Sequence, residues 1–568
     1  MTTAAPPASV TGPPVAAEVA ARLVGLLADP GAGEVSCAVD WAGPLRLPLA
    51  EERDVQAACG LMHVHGLAAG RPAPLAVDFA STTAGILAAQ GATAALVARS
   101  RGGATRAVRT SVGQAALFAL GQYLAAATAD TPAYEDQLIA GRPEFVSADG
   151  VRIEIEALYA EQWLRFWQYL NAPRAAVRHG WRPFQTRFGT AVCALDPALA
   201  AAVRAVPLSV LREAADHAGA ALLPVREDPS APEQVGPWTL TPLPGPARTA
   251  PGGAPLPQLP LSGLRVVEST RRVQGPLAGR VLQLLGARVL RIEPPDGDPM
   301  RGIPPMAGGC SARFSALNAG KDVTEIDFTT AAGRDAVREL ARDADVFLHN
   351  WAPGKAARLG LDAEDLHRVQ PGLVYVWASG WGDALGPRPP LGTDYLVQAH
   401  SGLAAALRPE DEPPRTSLLT VTDVLGGLLS AQAVLAALLT RLRTGHGQRA
   451  VSSLHSASAL VPRPSRRARW GPLERPLATL DGYLWLAPEA RERPEIAARA
   501  LGTAADPAAL AAAAACRSSA ELQSLLASAG TTATPVCTDL AALSRDPRFA
   551  PALGPGAHTF VHPPWEFA

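Results

Sequence analysis

The sequence predicts an α/β protein in which a doubly wound parallel-sheet domain is accompanied by two copies of a smaller α/β domain. Three observations lead there. Between residues 261 and 390, short apolar runs alternate with amphipathic helix-like stretches, as in parallel strands joined by crossover helices. Two long parts of the chain match each other at a constant offset. Between them, residues 226–260 are rich in Pro, Gly and Ala with little periodicity, the composition of a solvated linker.

The strand–helix alternation can be followed element by element. LRVVEST is an apolar run, QGPLAGRVLQLLGA a helix, and RVLRIE a second run. DVTEIDF, the helix AAGRDAVRELARD, DVFLHNW, the helix DAEDLHRVQ and LVYVWASGWG continue the pattern. Pro276 stands near the start of the first helix, whose free N–H groups would suit a phosphate or another anion. There is no G-x-G-x-x-G fingerprint, which disfavours an ordinary dinucleotide site.

The repeat has an offset of 342 residues: Gln56, Ala57, Gly60 and Leu61 match Gln398, Ala399, Gly402 and Leu403. Gly85, Gln90, Ala94, Ala95, Leu96, Arg99, Arg101 and Gly103 then match Gly427, Gln432, Ala436, Ala437, Leu438, Arg441, Arg443 and Gly445. Arg-Ala-Val at 106 and 449, Asp-Gly at 149 and 481, and Ala-Gly-x4-Pro-Val at 218 and 529 keep the same order. The first copy is expected to lack everything corresponding to 261–390. The expected division is therefore a disordered or helical start over 1–30, an incomplete copy over 31–225, the linker over 226–260, the doubly wound domain over 261–390, and a helix and small domain over 391–560.

A length of 568 residues suits two to four domains. Hydrophobic residues make up 48% and charged residues 18%, a globular balance, and the apolar runs are interrupted, so no membrane span is expected. The opening MTTAAPPASVTGPP has no basic stretch ahead of an apolar one, and a cytoplasmic location is expected. The net charge of −1 gives no reason to expect a nucleic-acid partner. Six scattered cysteines form no metal-ligand spacing, so no metal is expected and most should be buried. The pairs His63/His65 and His558/His562 have no acidic or Cys partners nearby and are expected to be structural. Lys321 and Lys355 stand out because the other 49 basic residues are Arg.

Residues 261–460 resemble the class III CoA-transferases, a family that includes formyl-CoA and carnitine CoA-transferases and the α-methylacyl-CoA racemases. The resemblance rests on ordered blocks: LSGLRVVESTRRVQGPLAGRVLQLLGARVLRIEPPDGDPMR, NAGKDVTEIDF, HNWAPGKAARLGL, SGWG, DYLVQAHSGL and TDVLGGLLSAQAVLAALLTRLRTGHGQ. It implies a CoA-binding doubly wound domain, coenzyme A as a substrate, and an acyl-CoA and a carboxylic acid acceptor as partners. The nucleophilic aspartate falls on Asp423, 22 residues before Gly445. A carboxylate with an ordinary pKa of about 3.9 would be ionised at neutral pH and could attack a thioester without a separate base. The residues themselves also allow a helix cap, since Thr422-Asp423 opens a helical run.

The resemblance places CoA contacts on Arg272, Val273 and Gln274, on Ile326 and Asp327, on Asn350 and Trp351, and on Arg358 and Lys321. Pro294 stands where the family has an arginine, with Arg301 as the expected substitute. Thr393, Asp394 and Gly426 are expected in the substrate pocket. Racemases of the family carry a His at the place of Thr393, 30 residues before Asp423. A threonine is no base near neutral pH, so transfer is favoured over racemisation or intramolecular isomerisation. A non-catalytic acyl-CoA binder also stays open, because the second copy is shortened and ends at HPPWEFA without the family's returning tail. Family members resemble interlocked homodimers. One large and two small domains in one chain therefore imply an internal pseudo-dimer whose first copy completes the site at Asp423, with a homodimer as the further possibility.

Overall fold

The structure, a computed structural model, describes residues 8–27, 35–131, 138–232, 235–244 and 259–568. The first copy runs through β1 (Ala8–Thr11), α1 (Pro14–Gly25), β2 (Val35–Asp40), α2 (Glu52–Ala58), α3 (Phe79–Ser100), β3 (Ala107–Ser111), β4 (Ile153–Glu156), α4 (Arg174–Thr190) and β5 (Ala221–Pro224). β6 (Trp238–Pro242) follows. The second copy opens with β7 (Arg265–Ser269), α5 (Gln274–Leu284), β8 (Arg288–Glu293), β9 (Asp322–Glu325), β10 (Val346–His349) and β11 (Val374–Ser379). It continues through α6 (Asp394–His400), α7 (Val421–Thr444), β12 (Gln448–Ser453), β13 (Tyr483–Leu486), β14 (Ala533–Pro535) and β15 (Glu566–Phe567).

The fold is mixed α/β. Its large sheet has seven strands in the order β9-β8-β7-β10-β11-β12-β6, all parallel except β6. Successive residues of its strands enter two different cores: Val346 and Leu348 pack with α5 and α7, whereas Phe347 packs with Val337 and Leu366 of helices on the other face. Burial on both faces explains the continuous apolar strands in the sequence.

Two boundaries drawn from the sequence are corrected. β12 lies beyond residue 390 yet joins the large sheet, and β6 lies inside the stretch read as a linker. The alternation Trp238-Thr239-Leu240-Thr241 was a strand signal hidden by its Pro-rich surroundings. The described part of residues 1–30 is not a free start either, because β1 pairs in parallel with β2. The first copy thus keeps a three-stranded parallel stub, and the expectation that it lacks every counterpart of 261–390 fails. The rest of the presumed linker, 233–234 and 245–258, lies outside the described residues.

α3 and α7 are the centre of the molecule. Each is long and apolar enough to cross a bilayer by length and composition, yet both are buried along nearly their whole length. A helix apolar all round must be covered on all sides, and these two cover each other. Gln90 Nε2 donates to Leu428 O at 2.7 Å, and its repeat partner Gln432 donates through Nε2 to Thr93 Oγ1 at 2.9 Å. The paired glycines explain the flanking contacts. A Cβ on Gly85 would lie 2.7 Å from Ala16 O of α1, and one on Gly427 would lie 2.7 Å from Gln274 O of α5. One apolar core runs through α1, α3, α5 and α7, hence through both copies.

Each copy also lends a strand to the other. After the first small domain the chain enters the large sheet as β6, antiparallel to β12. After the second small domain it enters the first copy's sheet as β15, antiparallel to β3, with Ala568 N donating to Ala107 O at 2.9 Å. HPPWEFA, expected to stop short of a returning tail, carries β15 onto the first copy's sheet and is anchored where Trp565 Nε1 donates to Leu87 O at 2.7 Å. Three of the six cysteines, Cys37, Cys59 and Cys193, are buried; Cys516 is exposed. His65, His558 and His562 are held by Ser417 Oγ, Ser315 Oγ and Pro551 O.

Candidate active site

A cleft of about 480 Å³ opens along the carboxyl ends of the large sheet's strands. Its walls come from the β7–α5 loop (Ser269–Arg272 and Gln274), the segment after β10 (Asn350–Pro353 and Lys355), the loop after β11 (including Trp381 and Pro389–Thr393), and Asp423 of α7. Glu156, Leu158 and Phe188 of the first copy close the remaining side. Gly380 and Gly392 let the two ends of the loop after β11 touch, since a Cβ on Gly380 would lie 2.3 Å from Gly392 Cα.

Asp423 is not the helix cap. Thr420 is the N-cap, and Asp423 stands in the first turn, where a negative charge meets the positive end of the helix dipole. Asp394 organises this turn. Its Oδ1 accepts the Asp423 N–H at 2.8 Å and the Thr422 hydroxyl at 2.7 Å, while Gln398 Nε2 donates to Oδ2. Burial pushes Asp394 up to about 6, against the pull of those donors. Asp423 is also raised, well above the ordinary carboxylate range. Burial is the main cause, the charges of Asp394 and Glu156 add to it, and Arg272 opposes it. Among the described residues, no side chain or N–H donates to the Asp423 carboxylate. The ordinary carboxylate pKa assumed from the sequence is therefore corrected: two acids share a buried turn and only one of them is solvated by hydrogen bonds.

Arg272 has φ +66°, the left-handed region rarely taken by a side-chain-bearing residue, at the tip of the β7–α5 loop. Strain of this kind costs about 1–3 kcal/mol and persists where neighbours enforce it. Asn350 is the enforcer. Its Nδ2 donates to Arg271 O at 2.8 Å and its Oδ1 accepts the Arg271 N–H at 2.9 Å. Lys355 sits 5.1 Å from the Phe328 ring centroid and 5.9 Å from that of Trp351, and its pKa is lowered by burial and by Arg271 and Arg358. The mouth of the cleft is thus basic and aromatic.

Of the residues singled out from the sequence, the cleft gathers Asp423, Arg272, Gln274, Asn350, Trp351, Thr393 and Asp394. Arg358 is exposed at the periphery, near enough to act on Lys355. The others are elsewhere. Val273 is buried in the core, Ile326 packs with the cluster around Phe347, and Asp327 spends Oδ1 on the Thr329 N–H at 3.0 Å. Gly426 makes room for neighbouring side chains: a Cβ there would lie 2.5 Å from Leu454 Cδ2 and 3.3 Å from Gln274 Nε2.

Lys321 and Arg301 are corrected most clearly. The Lys321 side chain is fully buried, with Nζ 2.8 Å from Glu268 Oε2 and donating to Pro276 O at 2.8 Å. Arg291 joins the same group through Glu268, Glu293 and Asp298, and Arg301 donates to both Glu293 oxygens at 2.8 Å. Three acids and three bases neutralise one another beneath α5. Removing one member strands a buried charge, so Lys321→Met should lower unfolding stability by about 3–5 kcal/mol in urea denaturation. The lysine that reaches the cleft is Lys355.

The first copy repeats this arrangement without its acid. Glu52, Gln56 and Ser81 occupy the offset positions of Asp394, Gln398 and Asp423. Glu52 Oε2 accepts the Ser81 N–H at 2.9 Å and its hydroxyl at 2.7 Å, while Oε1 accepts Ala80 N–H and Gln56 Nε2, each at 2.9 Å. The second small domain covers α2 there, with Trp485 Nε1 donating to Glu51 Oε1 and Thr534 Oγ1 to Asp54 Oδ1. Ser81 is 1% exposed, and this half is a joint rather than a cleft.

The parallel sheet and the carboxylate-bearing cleft at its strand ends define an α/β enzyme-type site. The chain belongs to CoA-transferase family III, whose model matches residues 42–234 and 261–466. Succinyl-CoA:glutarate CoA-transferase of Mus musculus is 33% identical over 243 residues, 40% of this chain and 56% of the relative. Acetyl-CoA:oxalate CoA-transferase of Acetobacter aceti is 37% identical over 194 residues, 34% of this chain and 50% of the relative. The chain spans about half the length of the curated relatives it matches. A crystal structure of a CAIB/BAIF family protein from Brucella suis shares 28% identity and a TM-score of 0.48, covering 54% of this chain and 91% of that one.

Proposed function

We propose that this chain transfers coenzyme A from an acyl-CoA to a carboxylate, with Asp423 as the nucleophile. The observation that carries this reading is a helix-borne carboxylate to which no described residue donates, in a cleft lined by Arg271, Arg272 and Lys355. The strand order reverses between β7 and β10, which supports a doubly wound domain with its ligand crevice at that switch point. Arg271, Arg272 and Lys355 would meet CoA phosphates, and Trp351 and Phe328 would pack on its apolar parts.

In the proposed reaction, the ionised Asp423 attacks the thioester carbonyl and the C–S bond breaks, giving a mixed anhydride and CoA thiolate. The thiolate attacks the aspartyl carbonyl, releases the first carboxylate and leaves an aspartyl-CoA thioester. The acceptor carboxylate repeats these steps in reverse and departs as the new thioester. Each electron pair stays within the cleft, and no oxidant is needed. Thr393 supports transfer over racemisation, because its hydroxyl is no base. Incubation with acyl-CoA and hydroxylamine should convert Asp423 to a hydroxamate found by peptide mass spectrometry. Modification elsewhere would reject the assignment.

Only ionised Asp423 attacks, so kcat/KM should fall as pH drops through its raised pKa, giving an acid limb well above pH 4. Glu156 is one cause of that elevation. Glu156→Gln should therefore move the acid limb to lower pH, as read from the pH profile of labelled-CoA exchange.

A further inference from the structure

We propose that Lys355 is an acylation site, modified by acyl phosphates whose phosphate group is held by Arg271 and Arg358, and that the resulting amide blocks coenzyme A. The modification does not depend on the CoA-transfer reading, whereas its effect rests on coenzyme A occupying this cleft. Lys321 and Lys355 are the two lysines of the chain. Lys321 is fully buried and paired with Glu268, which leaves Lys355 as the accessible one. Its half-buried side chain lines the cleft. Among the described residues no carboxylate pairs with Nζ and no acceptor receives a hydrogen bond from it.

The surroundings favour the neutral, nucleophilic amine. Lys355 opens the short helix Lys355–Leu359, at the positive end of the helix dipole. Arg271 and Arg358 add two like charges, and a Cβ on Gly354 would lie 3.3 Å from Arg358 Nη1, so that guanidinium folds back over the residue before Lys355. His349 adds no charge at neutral pH, since burial pushes it down to about 3. The rings of Phe328 and Trp351, 5.1 and 5.9 Å from Nζ, favour the ammonium, but burial and the two guanidiniums outweigh them and the Lys355 pKa is lowered. Neither guanidinium is paired with an acid among the described residues, so both can take a phosphate. With an acyl phosphate held there, the amine attacks the acyl carbonyl and the C–O bond to phosphate breaks. The proton lost by nitrogen leaves with the phosphate. An acyl-CoA is a poorer donor, because its phosphates and its thioester stand at opposite ends of one molecule, and cations that hold the first keep the second away from Nζ. The amide carries no charge and adds bulk where a CoA phosphate would sit.

The test incubates the Asp423→Asn chain, which cannot form the aspartyl intermediate, with acetyl phosphate or acetyl-CoA and reads each lysine by peptide mass spectrometry. Acetyl phosphate should modify Lys355 at least about 10-fold faster than it modifies Nα-acetyl-lysine amide in the same solution, and added CoA should suppress the reaction. A rate no faster than that of the free amide, labelling undiminished by CoA, Lys321 labelled ahead of Lys355, or faster labelling by acetyl-CoA would each overturn the site. Acetylation should weaken CoA binding at least about 10-fold by calorimetry, while Lys355→Arg should hold its own affinity through the same treatment. Unchanged affinity in the acetylated chain, or an equal loss in Lys355→Arg, would overturn the block. A chain that never exchanges labelled CoA would sink the transfer reading and leave both of these measurements intact.

Discussion

Asp423→Asn is expected to lower CoA transfer by at least about 10³-fold while acyl-CoA still binds, and to make the protein more stable at neutral pH. The loss of turnover follows from the chemistry, since an amide cannot form the anhydride. The gain in stability follows from the site. Burial raises both Asp394 and Asp423 above their ordinary value of 3.8, Asp394 to about 6. The folded state therefore holds protons that the unfolded state releases. The stability associated with them is present at low pH and is lost as pH rises through the folded values. At neutral pH the pair is a net cost, and Asn removes its less solvated half. Tm should rise by an amount corresponding to about 1–2 kcal/mol at pH 8, with the difference shrinking toward pH 4. Calorimetric melts across pH check the sign, and an Asn variant less stable at pH 8 would mean the charge is better solvated than the turn suggests.

Dividing the chain should be nearly as damaging as removing the nucleophile. Residues 256–568 expressed alone should be insoluble or inactive, and activity should return when 1–255 is co-expressed. The fragment would expose the face of α7 that α3 covers, with Leu and Ala side chains buried along most of its length. Each fully buried Leu contributes about 1.5–3 kcal/mol. It would also lose β6 from the large sheet and leave β15 without a sheet to join. The cleft itself would lose Glu156, Leu158 and Phe188. A soluble, monomeric and fully active 256–568 fragment would contradict this. In the intact chain the halves are held at high effective concentration, so the pairing needs no second subunit.

The sequence by itself determined the parallel α/β domain and the duplication, because each is written in a local period or a fixed offset, while Asp423 was singled out through the family resemblance and the structure sets it in the cleft wall. Apolar runs of strand length read the same whatever packs on them, and the repeat survives in glycines and glutamines that hold helices together. Which charged groups face the cleft was decided only by tertiary structure. Lys321 and Lys355 were equally conspicuous in an arginine-rich chain, but Lys321 is drawn beneath α5 by the buried Glu268, and Lys355 is left at the mouth. Gly426 was read as space for a substrate and instead admits Leu454 and Gln274. The elevated pKa of Asp423 was not legible, because it depends on Asp394 and Glu156, brought together from both copies only when the chain folds. The strands β6 and β15 were hidden for the same reason. β15, two residues long, is too short to declare itself, and the signal of β6 is masked by the Pro-rich residues around it; each forms because an open sheet edge belonging to the other copy supplies its hydrogen bonds.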